Sequence, residues 1–177
     1  ANTQKLFFTS NHDENSWNGS EYRRLGAAVP AMAALTFTLP GIPLIYSGQE
    51  VGNTRELAFF EKDLIPNLEI ENSTTTFYRK LIALKTKNAA LWNSAPLAAP
   101  ELIQANEDII SFYRTVGKNR VLTIINASNK PQKTSIALNK LAGTYYQFSS
   151  NKQKKLPSKL TLTLKPWQFE IYSSAGN

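Results

Sequence analysis

Two short apolar runs, Lys5–Thr9 and Ile42–Tyr46, constrain this chain more than anything else in it. Each ends in a polar cluster, Asn11-His12-Asp13-Glu14-Asn15 after the first and Ser47-Gly48-Gln49-Glu50 after the second, and each is followed by a helical pattern. The order strand, loop, helix, strand, loop, helix predicts parallel strands joined by crossover helices. Two strands cannot complete such a domain, because a closed eight-stranded barrel takes roughly 250 residues. The first half therefore reads as the end of a larger α/β fold. The immediate start in structure at Ala1 fits a chain cut from something longer.

The helices have clear signals. Asn18-Gly19-Ser20 is a turn with Ser20 as an N-cap, opening a helix from Glu21 to about Phe37 that Pro30 should kink and Leu39-Pro40-Gly41 should stop. Ile42–Tyr46 reads as a strand buried on both faces. An irregular segment runs to about Asn72, and Ser73 is the expected cap of the next helix. There Phe77, Leu81, Leu84, Asn88 and Leu91 form one stripe.

After Ala95-Pro96 the pattern changes. Asp108–Val116, Arg120–Asn126, Lys133–Leu138, Thr144–Ser149, Leu160–Leu164 and Trp167–Tyr172 are short runs between Gly, Asn, Pro and Ser clusters, with Gly117-Lys118-Asn119 as a hairpin turn. This spacing predicts an antiparallel β-sandwich. The expected organisation is α/β over residues 1–93 followed by all-β over 94–177, with Trp167 in the sandwich core and Trp17 and Trp92 in core or interdomain packing.

Charge separates the same two halves. Residues 1–92 carry nine basic and nine acidic side chains, whereas 93–177 carry eleven and four. The lysines are scattered among strand and turn positions, which fits a solvated sheet surface better than a nucleic-acid interface. With no cysteine there is no disulfide framework or thiolate chemistry. No apolar run approaches the roughly 20 residues that span a bilayer, and neither nucleic acid nor a membrane is expected as a partner.

Both polar clusters follow strand C-termini, where parallel barrels place their active-site groups. A carboxylate beside an imidazole suits a polyhydroxylated ligand, and a fixed negative charge suits a cation-like transition state. The stretch FFTSNHDE (7–14) resembles the Phe-x-x-Asn-His-Asp stretch at the end of the seventh barrel strand in the α-amylase family of glycoside hydrolases. GIPLIYSGQE (41–50) resembles that family's Gly-x-Pro-x-x-Tyr-x-Gly-x-Glu stretch around the eighth strand, and FYRKLIALKTKNAAL (77–91) is similar to its last barrel helix. A C-terminal β-sandwich follows the barrel in these enzymes too.

The resemblance implies the C-terminal quarter of a (β/α)8 barrel plus an antiparallel β-sandwich. It implies Asp13 as the transition-state-stabilising carboxylate, His12 and Asn11 as substrate-binding groups, and Gly41, Pro43, Gly48 and Glu50 as structural residues at the eighth strand. Arg55 is expected near the cleft mouth, touching substrate or pairing with Glu50 or Glu56. Trp17 is an alternative sugar-stacking residue. The nucleophile and general acid of such a retaining enzyme lie on earlier strands, and neither Glu14 nor Glu21 matches their motifs. The isolated chain is thus expected to be inactive, with an α-glucan substrate, a missing N-terminal barrel portion as its partner, and self-association as one way to cover its open edges. The chain carries no expected cofactor or metal ligand of its own. Calcium, where the family uses it, belongs to the rest of the parent, for which export is the expected compartment. The competing reading is a non-catalytic carbohydrate-binding sandwich using Tyr145, Tyr146 and Phe148.

Overall fold

The computed structural model describes residues 4–93, 98–105 and 107–176. The expected boundary at 93/94 and the Ala95-Pro96 step lie at or beyond the edge of the described residues. In the first half, β1 (Leu6–Phe7) pairs in parallel with β2 (Ile42–Pro43). Ile42 N donates to Lys5 O and Leu44 N to Phe7 O, at 2.9 and 2.8 Å, so Pro43 falls where the ladder needs no donor. Gly41 is required by close approach: a Cβ there would lie 2.5 Å from Lys5 O and 2.6 Å from the Phe7 ring.

The predicted parallel pair is present, but it is shorter than expected and not buried on both faces. Leu6 and Ile42 are about half exposed, because the described residues supply no further strand to cover them.

Between these strands lie α1 (His12–Asn18), α2 (Glu21–Leu25) and α3 (Val29–Thr38). The polar stretch that reads as a loop is helical from His12, capped by Asn11, whose side chain accepts from Glu14 N at 2.8 Å. Ser20 caps α2 as expected, through Arg23 N. The single kinked helix is corrected to two helices joined by a 3-10 turn at Gly26–Ala28. The break sits at Gly26, whose φ is +53°. Pro30 stands in the first turn of α3, where its missing N–H costs nothing.

After β2 comes a 3-10 turn at Gln49–Val51, then irregular chain to α4 (Ser73–Lys87). Asn72, not Ser73, is the N-cap, in a reciprocal capping box with Thr75. Leu81, Leu84 and Leu91 are buried on the predicted stripe, whose first position, Phe77, is half-buried beside the buried Tyr78; Asn88 belongs to it too, donating Nδ2 to Leu84 O at 2.7 Å.

The second half comprises β3 (Glu101–Ala105), β4 (Ile109–Val116), β5 (Asn119–Asn126), β6 (Gln132–Ala137), β7 (Gly143–Gln147), β8 (Gln153–Leu156), β9 (Lys159–Leu164) and β10 (Phe169–Ser173). Six strands form one antiparallel sheet in the order β3-β4-β5-β10-β7-β8, and β6 pairs with β9 in a second sheet. Ile109, Leu122, Ile124 and Tyr172 share a core with Ile136, Leu160 and Leu164 of the smaller sheet. On the opposite face Val121, Phe148 and Ile171 share a core with Ala34, Phe37, Leu81, Leu84 and Leu91.

Because both faces are covered, Val121 to Asn126 of β5 are all buried rather than alternating. At about 1.5–3 kcal/mol per fully buried aliphatic side chain, the helix–sheet contact is a major part of this fold. Trp167 does not belong to β10 and is not core. It stands in the preceding turn at φ +56°, half-buried. Trp17 and Trp92 are likewise exposed, at 63% and 48%, rather than packed in a core.

Candidate active-site loop

The exits of β1 and β2 meet. Gln49 Nε2, after β2, lies 2.5 Å from Thr9 Oγ1, 2.8 Å from Glu21 Oε2 and 2.6 Å from the Tyr78 hydroxyl, its two hydrogens shared among these three acceptors. Thr9 donates its hydroxyl to Glu21 Oε2 at 2.8 Å, and Gln49 Oε1 accepts from Tyr46 N. Gln49 and Glu21 are almost fully buried. This polar knot therefore ties β1, α2, the β2 exit and α4 together beneath the Asn11–Asp13 loop. Gly48, at φ +89°, makes the turn that points Gln49 inward.

Burial holds the Glu21 carboxyl above its ordinary 4.5, offset in part by the Thr9 hydroxyl, the Arg24 charge and the Gln49 amide. A carboxyl with a higher pKa folded than unfolded binds its proton more tightly in the fold. Its contribution is fully present below the ordinary value and declines as pH rises through the folded one. The neutral variant Glu21→Gln should therefore flatten part of the stability loss as pH rises above the ordinary carboxyl range, read as melting temperature against pH. An unchanged slope would remove Glu21 as its source.

Above the knot, His12 and Asp13 stand in the first turn of α1 with side chains 66% and 63% exposed, His12 Nε2 lying 3.5 Å from Asp13 Oδ1. Neighbouring carboxylates are engaged: Glu14 with Arg24 at 3.4 Å, Glu56 with Arg23 at 2.5 Å. Arg24 also donates to Thr9 O at 2.8 Å and Gly19 O at 3.1 Å, pinning the loop from below.

Arg55 pairs with neither Glu50 nor Glu56. Its guanidinium donates to both Asp63 oxygens, at 3.1 and 3.3 Å, and to Leu64 O. The Ala58 backbone N–H, and then Arg55, hold the Asp63 carboxyl below its ordinary value. Glu50 is half-buried in the 3-10 turn, and its Oε2 has no hydrogen-bond partner among the described residues.

Sequence reasoning missed Asn15. It is buried, donating Nδ2 to Arg55 O at 3.1 Å and accepting from Leu57 N at 2.7 Å. This lashes the long loop after β2 onto α1. An aromatic surface results: Trp17 lies 5.2 Å from Phe59 and 6.3 Å from Phe60, and Phe59 lies 6.0 Å from His12, centroid to centroid. Phe60 is 80% exposed. The adjacent Phe59-Phe60 pair was the available signal.

Among the described residues no three His, Cys, Asp or Glu side chains come together to hold a metal ion, and no helix is long and apolar enough to cross a membrane.

No family model matches the chain. It is 25% identical over 162 residues to alpha-amylase 2 of Dictyoglomus thermophilum, covering 84% of this chain and 26% of that protein. It is 26% identical over 129 residues to alpha-amylase MalA of Haloarcula japonica, covering 71% and 18%. Among solved structures, a maltogenic alpha-amylase, AmyB of Thermotoga neapolitana, superposes with a TM-score of 0.79 at 19% identity, over 98% of this chain and 42% of that one. The fold thus resembles that of the matching part of a solved alpha-amylase, and the chain spans about a quarter or less of the curated relatives it matches. In both sequence and fold the chain is similar to alpha-amylases.

Proposed function

We propose that this chain is the C-terminal part of a retaining α-amylase-like hydrolase acting on α-glucosidic bonds of starch-like glucans or maltooligosaccharides. In this reading β1 and β2 are the last two barrel strands, 1–93 closes the barrel, and 94–177 is its β-sandwich. The observation that carries it is the Thr9–Gln49 hydrogen bond, which brings two strand exits together under an outward-facing His12-Asp13 pair. In parallel barrels that end of the strands is where the chemistry sits.

Retaining hydrolysis needs a nucleophile and a general acid/base about 5–5.5 Å apart, and the preceding barrel strands supply them. Asp13 adds a third negative charge. It accepts hydroxyl hydrogen bonds from the sugar at the cleavage point and favours the oxocarbenium-like form as positive charge develops. His12 hydrogen-bonds the same sugar. Asn11 holds the first turn of α1, which carries both. Gly41, Pro43, Gly48 and Glu50 shape the last strand and its exit. Arg55 braces the long loop through Asp63 and lies at the cleft rim, where Trp17 and Phe60 offer rings for further sugars.

Calcium in the parent belongs to its other segments. The exposed Leu6 and Ile42 fit the preceding barrel portion as the partner of this piece, with self-association as the substitute in its absence. We place the parent among exported enzymes, as suits a polymeric substrate.

The expected result for the purified chain is no turnover of maltooligosaccharides or of an aryl α-glucoside. Turnover that co-purifies with the chain and disappears in Asp13→Asn would sink the reading of a catalytically incomplete piece. Of the candidate aromatics of the sandwich-only alternative, Tyr145 and Phe148 are buried, and Tyr146 is half-buried.

A further inference from the structure

We propose that the polar knot encloses one water molecule, held between Ser10 Oγ and Glu21 Oε1, and that through it Glu21 fixes the turn carrying His12 and Asp13. The water site rests on the knot alone; what the turn is for rests on the proposed function.

The knot leaves two polar atoms over. Ser10 and Glu21 are each 2% exposed, and neither Ser10 Oγ nor Glu21 Oε1 has a hydrogen-bond partner among the described residues. An unpaired buried polar atom is costly, and native structures leave few of them. Both residues line one small cavity, together with Asn15, Gln49 and Asn53. Its volume is about 10 Å³, the space of a single water, which needs roughly 10–15 Å³, and too little for any part of a sugar. A buried water needs at least two polar partners, and the two orphaned atoms supply them.

The neighbouring groups select water over a cation. Asn15 Oδ1 already accepts from Leu57 N, Gln49 Oε1 from Tyr46 N and Asn53 Oδ1 from Arg55 N. Too few uncommitted side-chain oxygens remain for a hard cation such as calcium, which takes roughly six to eight. Water also suits both forms of Glu21. Oε2 is occupied by the Thr9 hydroxyl and the Gln49 amide, so Oε1 is the oxygen that carries any proton. Water donates to Oε1 when the carboxyl is ionised and accepts from it when it is protonated, and the Ser10 hydroxyl rotates to match.

The bridge acts on the loop above. Thr9 reaches Glu21 directly and Ser10 reaches it through the water, so two consecutive residues after β1 are tied to one carboxyl group. The next residue is Asn11, whose side chain caps α1 and sets its first turn. A rotation at Ser10 would displace that cap, and His12 and Asp13 with it.

Two measurements on the 177-residue chain test this. Neither uses a sugar, so their failure is separate from that of the proposed function. The first is a crystal structure at a resolution that shows ordered water. The expected result is one water about 2.5–3.0 Å from both Ser10 Oγ and Glu21 Oε1. A direct Ser10–Glu21 hydrogen bond or an unfilled site overturns the inference. So does a peak ringed by roughly six oxygens at about 2.3–2.6 Å, which would be a cation. The second measurement reads His12, the only histidine in the chain, through its imidazole C–H signals in NMR. Ser10→Ala removes one of the two anchors and should shift those signals. Ser10→Thr keeps the hydroxyl and should hold them near their original positions. His12 signals unmoved in Ser10→Ala, or moved equally in Ser10→Thr, overturn the role of the water in fixing the turn. The crystal structure decides the water itself whether or not Ser10→Ala folds.

Discussion

Arg114→Ala is expected to cost this fold on the order of 4 kcal/mol or more, a large part of a typical domain's total of roughly 5–15 kcal/mol. Arg114 lies within β4 with no exposed surface. Its guanidinium donates to Ala98 O at 2.8 Å, Thr38 O at 3.2 Å, Leu39 O at 3.1 Å and Trp92 O at 3.4 Å. Thr38 and Leu39 end α3, so their carbonyls lack helical partners and form the negative pole of the helix dipole. One side chain from the sheet thus closes α3 and holds both Trp92 and Ala98, on either side of the crossing between the two halves.

Burial lowers the Arg114 guanidinium to about 10, still cationic at neutral pH. Carbonyl dipoles, not a carboxylate, accept its hydrogen bonds, and alanine would leave several of them buried and unpaired. Denaturant unfolding gives the size of the loss; a change below about 1 kcal/mol would remove the clasp from the account. Arg114→Lys keeps the charge but not the planar fork, and should recover only part. A second readout is local. Lys85 is depressed to about 8, first by burial and then by the Arg114 charge, so in a folded Arg114→Ala chain its pKa should rise.

That clasp was invisible in the sequence, where Arg114 sits in an alternating strand as an ordinary outward-facing residue. Strand periodicity tells which residues share a face. It does not tell that both faces of β4 and β5 are covered, one by helices and one by β6 and β9. The parallel β1–β2 pair, the Ser20 cap, the α4 stripe and most of the antiparallel strands were legible, because each has a local signal. β3 and β8 were missed: Gln153-Lys154-Lys155-Leu156 is polar because β8 is an edge strand. Trp167 was misplaced because Trp-Gln-Phe-Glu-Ile alternates like a strand, and only the positive φ reveals the turn. In the loop, motif resemblance singled out His12 and Asp13 as candidates. Asn15, Gln49 and Glu21, which hold that loop in place, were not legible, since a buried polar network depends on which segments meet in space.

On the proposed function, Asp13→Asn in the longer parent protein is expected to lower kcat by roughly 10³-fold or more, taking the loss of one transition-state group, ~10²–10³, as the lower guide. The argument is one of uncommitted charge. Around α1 the other carboxylates are engaged: Glu14 with Arg24, Glu56 with Arg23, Asp63 with Arg55, and Glu21 buried in its knot. Asp13 faces outward with His12 as its neighbour, so its field is directed at whatever occupies the cleft. A fixed carboxylate stabilises an oxocarbenium-like centre more than the neutral ground-state sugar, so the loss should fall on kcat and kcat/KM together rather than on KM alone. Asparagine keeps the shape, and its cost to α1 is limited to a first-turn dipole contribution of about 0.3–1 kcal/mol, so the variant should fold. Steady-state rates on a maltooligosaccharide decide it. A variant with kcat within about tenfold of the parent would make Asp13 a helix-terminal charge and nothing more, whereas a folded variant with the full loss would identify it as the third carboxylate of the site.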